Sequence, residues 1–206
     1  NGNPTKVSSY KDINYDKWSS ADRYKWIEYH KWKVSGELYT KVIGDFVIMT
    51  RAQFGYLGYY NRKWGYSPFE GFRVGGDGMS GYDTYGADII ALRGYENYYL
   101  TPWEATPYNS NGYYAGNVYD KFTMEFRYPV ILQPQSTIFV LGFLEGGNCW
   151  SDIKKFNPFQ IKRSAGVGVR VFLPMIGLLG IDWGYGFDNP VKKNRSQFHF
   201  LIGQQF

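Results

Sequence analysis

An all-β fold, a transmembrane antiparallel β-barrel, is what this sequence predicts, and three observations carry the prediction. The first is alternation in the last ten residues. Phe198, Phe200, Ile202 and Phe206 fall on one face, and Gln197, His199, Gly203 and Gln205 on the other. A strand with one oily face and one polar face needs lipid, or something as apolar, against the oily side. The second is composition: of 206 residues, 25 are Gly, 20 Tyr, 15 Phe and 7 Trp. Barrels carry aromatic girdles at both membrane interfaces, and glycine where strands bend or pack closely. The third is a rhythm of alternately short and long links between strands, the pattern of periplasmic turns and external loops.

The strands follow in order along the chain. Over 31–38, Trp32, Val34 and Leu38 oppose Lys31, Lys33, Ser35 and Glu37; over 46–56, Phe46, Ile48, Ala52, Phe54 and Tyr56 oppose Arg51 and Gln53. The segment 122–128 is the clearest, with Phe122, Met124, Phe126 and Tyr128 against Lys121, Thr123, Glu125 and Arg127. Three charges in one row cannot be buried in a dry core, so that face needs a wet lumen. Segment 137–149 is more mixed, with Val140 and Leu144 on one side and Phe143 and Glu145 on the other. In 165–172, Ala165, Val167, Val169 and Val171 oppose Gly166, Gly168 and Arg170. In 179–188, Leu179, Ile181, Trp183, Tyr185 and Phe187 oppose Gly180, Asp182, Gly184, Gly186 and Asp188. The closing strand makes seven.

Short links fall near 39–45, 129–136 and 173–177, and long ones near 57–118, 148–160 and 188–196. With a periplasmic C-terminus, every short link is periplasmic and every long one external. Residues 1–23 are polar and without period, and read as an external loop or a frayed end. The longest apolar runs, 46–49 and 178–181, are far too short for a transmembrane helix. The chain has no initiator Met and no signal peptide at its start, so a mature or excised piece is expected.

Several function classes are disfavoured. The formal charge is +5, but Lys and Arg are interleaved with Asp and Glu rather than gathered in a stripe, so no nucleic-acid role is expected. Cys149 is the single cysteine and permits no internal disulfide; with only His30 and His199 beside it, neither a metal site nor a cofactor is expected. Asp182, inward among glycines, invites an enzyme reading such as a lipase or protease. A general acid or nucleophile needs a partner, and neither histidine stands in a defensible triad spacing, so no catalytic residue is expected.

A connection as long as 57–118 is usually functional. It holds Phe69-Glu70-Gly71-Phe72-Arg73-Val74-Gly75-Gly76 and then Leu92-Arg93-Gly94-Tyr95. Leu-Arg-Gly-Tyr resembles the Val-Arg-Gly-Phe/Tyr signature in the sixth external loop of the BamA family of outer-membrane assembly factors, which TamA and the two-partner secretion transporters share. The aromatic Gly-Gly segment, Met124-Glu125-Phe126, the run from Gly166 to Gly184 and the closing strand agree with that family in order and spacing.

The resemblance covers nearly the whole chain. It implies the C-terminal portion of a barrel, about seven strands of roughly sixteen, with the long external loop folded into the lumen. In the family, acidic residues on the two strands after the loop receive the signature arginine, which here gives Arg93 to Glu125 and Glu145. Leu92 and Glu145 depart from the more frequent Val and Asp. Glu125 has local alternatives in Arg127 and Lys121. Gly94 fits a positive φ or a close approach, and Tyr95 would pack on the wall.

The resemblance further implies insertion of β-barrel clients into the bacterial outer membrane. It would proceed through a seam beside the C-terminal strand, whose Phe198, Phe200, Gly203 and Phe206 would form the gate. Outer-membrane lipid, nascent β-barrel proteins and, through periplasmic domains outside this sequence, accessory lipoproteins would be the partners. A TamA-like or two-partner secretion pore is the alternative within the family. Outside it stand a barrel enzyme and a soluble glycan-binding β-sandwich.

Overall fold

The computed structural model describes residues 28–60, 62, 65–78, 86–106, 109–133, 136–174, 177–189 and 195–203. The expectation for 1–23 and the gate residue Phe206 lie outside these residues.

Among the described residues, eleven strands form in chain order. Seven long ones are β1 (Tyr29–Ile43), β2 (Phe46–Tyr59), β7 (Val118–Gln133), β8 (Ser136–Trp150), β9 (Lys162–Leu173), β10 (Gly177–Gly186) and β11 (Ser196–Ile202). They make one antiparallel sheet in the order β1-β2-β7-β8-β9-β10-β11. The sheet is open, and among the described residues β1 and β11 are its edges. This is the all-β architecture of a partial barrel.

Alternation decides the faces as expected. Outward rows carry Trp32, Val34, Leu38, Phe122, Leu144, Val167, Val169, Ile181, Phe198, Phe200 and Ile202, all exposed. Inward rows bury Lys121, Thr123, Glu125, Glu145, Arg170, Asp182 and His199. The oily face outside and the charged face inside invert the arrangement of a soluble sandwich.

Beside the short links the strands run further than their period suggests: β1 and β2 are separated by the turn 44–45, β7 reaches Gln133, β8 begins at Ser136, β9 reaches Leu173 and β10 begins at Gly177. Pro129, which reads as part of a link, lies inside β7 opposite Phe139, where a register shift between Pro129 and Ile131 marks a bulge. A proline has no ladder donor, and a bulge is where a strand tolerates that. Gly44, at φ 54, takes the tight turn between β1 and β2.

The connection from β2 to β7 has structure of its own. Within it, β3 (Phe72–Val74) pairs in parallel with β4 (Asp88–Ile90), and β5 (Trp103–Thr106) forms a hairpin with β6 (Asn109–Tyr114). Its apolar side chains meet the inner face of the sheet: Leu57, Phe72, Val74, Leu92, Tyr95, Leu100, Tyr119 and Cys149 form one buried cluster. The lumen expected to be wet is therefore packed where this loop enters it. Outside the sheet, the β8–β9 loop covers the end of β2 and β8, with the Phe156 ring 5.5 Å from Phe54 and 4.9 Å from Trp150.

Candidate functional site: a loop locked to the inner face

Arg93 follows β4 in a tight turn whose entry is set by Leu92, bridged to Gly76 by its own backbone N–H at 3.1 Å from the Gly76 carbonyl. Leu92 and Tyr95 are fully buried on either side, so the guanidinium is held on an anchored stretch rather than a free tip. Its Nη2 donates to Glu125 Oε1 at 2.7 Å and to Glu145 Oε1 at 2.8 Å, and its Nη1 donates to Asp182 Oδ2 at 2.9 Å. The Arg93 backbone N–H donates to Glu145 Oε2 at 2.8 Å. Its central carbon lies 3.7 Å from the centroid of the Phe143 ring, close enough for a cation–π contact.

Glu145 thus bridges the side chain and the main chain of one residue. The length of the Glu side chain lets it grip both with separate oxygens. Burial works against a charged Arg93, but the carboxylates of Glu145, Glu125 and Asp182 outweigh it and keep the guanidinium cationic.

A second ring of cations balances the carboxylates. Arg127 donates to Glu125 Oε2 at 2.8 Å, Lys121 pairs with Glu145 at 3.1 Å, and Arg170 grips Asp182 through both terminal nitrogens, one of them at 2.6 Å. The local pairing of Glu125 with Arg127 and its pairing with Arg93 are therefore both present, one on each oxygen. Lys121 pairs with Glu145, not Glu125. A buried carboxylate needs this saturation, because any unpaired charge there would cost several kcal/mol.

Gly94 brings the loop against β10. Its φ is 87, its N–H donates to His199 Nε2 at 2.8 Å, and a Cβ there would lie 2.9 Å from the Tyr185 carbonyl carbon. From the other side, a Cβ on Gly184 would stand 2.7 Å from the Gly94 nitrogen, and one on Gly186 2.6 Å from the Gly94 oxygen. The inward glycines of β10 are the bed on which the backbone of the signature lies.

Tyr95 donates its hydroxyl to the Arg163 carbonyl at 2.7 Å, and burial pushes its phenol up to about 12. Beyond it, hydrogen bonds from Arg163 hold the Asp188 carboxyl below its ordinary range and tie the far ends of β9 and β10. On the opposite side, Lys31 of β1 bonds Glu70 at 2.8 Å and Asp88 at 3.1 Å, and Lys33 reaches Asp88 at 3.1 Å. With Leu57 of β2 in the shared apolar cluster, the loop touches all seven strands of the sheet.

The structure brings Leu92, Arg93, Gly94, Tyr95, Glu125 and Glu145 into one site. Sequence reasoning missed Asp182 as a third acceptor, Arg170 as its counter-ion, Lys121 as the partner of Glu145, and His199. Asp182 stood alone only in sequence, because Arg170, which shares its face, reaches it across the β9–β10 ladder. Inward polar residues at similar depth on successive strands were the available signal.

Of the other named residues, Phe198 and Phe200 are exposed on the outward face of β11, and Gly203 follows its end at φ 103 with its N–H on the Leu178 carbonyl at 2.9 Å. Among the described residues, no group of three His, Cys, Asp or Glu is arranged to hold a metal.

An open antiparallel sheet with a lipid-type outer face, a charged inner face and a loop locked into it defines an outer-membrane β-barrel protein of the kind that carries an inserted loop. Residues 14–206 match the Omp85 superfamily domain, and the chain belongs to that superfamily. Its members are bacterial outer-membrane proteins that insert or translocate other proteins. No curated protein sequence matches the chain.

Proposed function

We propose that this chain is part of a barrel that assembles and inserts other β-barrel proteins in the bacterial outer membrane, through a seam beside β11. The observation that carries the reading is the asymmetry of the sheet. Among the described residues, β11 is an edge strand paired with β10 alone over seven residues, from Tyr185↔Ser196 to Leu179↔Ile202, while the interior pairs run longer. Its outward row, Phe198, Phe200 and Ile202, is exposed as a lipid-facing strand requires. An edge strand can receive a client strand by β-augmentation.

In this reading Arg93 holds the loop in place, and the barrel carries out no chemical step. Both oxygens of Asp182 are engaged by arginines and His199 by a backbone N–H, which leaves neither as a free base. Clients would be unfolded β-barrel proteins; accessory lipoproteins would act through periplasmic domains.

The test is reconstitution of the full-length protein in lipid vesicles with an unfolded client barrel. Faster client folding than in empty vesicles is expected. Export of a soluble passenger without any acceleration of barrel folding would replace this reading with translocation.

A further inference from the structure

We propose that His199 is a positioning residue through which the inserted loop fixes the edge strand β11. Arg93 reaches β7, β8 and β10, but none of its bonds extends to β11. The edge strand is tied to the loop through Gly94, whose N–H donates to His199 Nε2 at 2.8 Å. His199 is the one buried side chain of β11, at 4% exposure, between neighbours that are exposed or half-buried. This bond joins the loop to the most buried position of β11.

The chemistry around the imidazole makes the bond specific. Asp182 lies directly across the ladder from His199 and would be its natural partner. Arg93 and Arg170 take its oxygens instead, so His199 turns its acceptor to the loop. An Nε2 that accepts belongs to a neutral ring protonated at Nδ1. Protonation turns Nε2 into a donor facing another donor, and the buried Gly94 N–H then loses its acceptor. The charges facing the ring are Asp182 of β10, Glu145 of β8, and Asp77 and Arg93 of the loop, with Arg170 of β9 behind Asp182. The contact is therefore made by the neutral ring and released by a proton. Its consequence for a seam rests on the function proposed above; the coupling of loop to strand does not.

Hydrogen exchange of the full-length protein in lipid nanodiscs tests it, read on peptides covering 196–202 at pH 7.5 and pH 5.0 and normalised to an unstructured reference. Wild type is expected to lose protection in β11 about five- to tenfold at the lower pH, the weight of one buried hydrogen bond. His199→Gln keeps an acceptor without a titrating ring, and is expected to hold its protection at both pH values. His199→Leu is expected to exchange faster at both, with β8 peptides unchanged as the folding control.

A glutamine variant that keeps the wild-type pH dependence, or a leucine variant as protected as wild type at pH 7.5, overturns the proposal. If the leucine variant does not fold, the comparison of wild type with glutamine decides. Client folding by the same variants is scored separately, so an intact insertase with an uncoupled β11 would remove the coupling and leave the function.

Discussion

At Arg93 one guanidinium donates to carboxylates on three strands, so removing it cuts three ion pairs between the loop and the sheet at once, where removing any one carboxylate cuts a single one of them. Breaking a buried pair by deleting one partner costs about 3–5 kcal/mol. Arg93→Ala is therefore expected to lower the thermal unfolding midpoint in detergent strongly, and Glu145→Gln less, since Glu125 and Asp182 would still hold the cation. Arg93→Lys is expected to recover little. A compact ammonium cannot present the planar fork that spans Nη1 to Asp182 and Nη2 to both glutamates. A wild-type melting point for Arg93→Ala would show that the loop is held by its apolar cluster alone.

The elements meet where β10 gives way to the loop. Gly184 and Gly186 leave room for the Gly94 backbone, and a methyl group on Gly184 would push within 2.7 Å of the Gly94 nitrogen. Overpacking of this kind costs about 1–3 kcal/mol. Gly184→Ala is thus expected to loosen the loop and raise protease cleavage within 86–106, while Gly36→Ala on β1, where a Cβ would meet nothing within 4 Å, is the neutral control. Equal cleavage in the two variants would mean that the loop does not rest on the glycine row. Pro129 belongs at this scale too. It reads as the start of a link, yet β7 continues past it to Gln133 because a bulge removes the demand for its missing donor.

Across the whole molecule, the division between an oily outside and a charged inside makes the bilayer part of the fold. Val169 lies on the outward face between Val140 and Ile181. An arginine on a lipid face costs about 2–4 kcal/mol near the midplane and little near the interfaces. Val169→Arg is expected to reduce folding into lipid vesicles by that amount, whereas Thr123→Ser on the inner face should fold nearly as wild type. Equal folding of both would argue that the outward row does not face lipid.

The sequence by itself determined the seven strands, the face each side chain takes, the alternation of short and long links, and Arg93 with Glu125 and Glu145 as candidates for one site. Period-two alternation is a local property that a strand keeps wherever it pairs, and the resemblance in the signature supplied the rest. Only the tertiary structure decided that Asp182, Arg170, Lys121 and His199 join that site, that the loop builds its own strands and apolar core on the inner face, and that it reaches the edge strand. Those facts depend on which residues of distant strands share a level. Register sets the level, and a slip of one residue would move every one of these side chains to the other face.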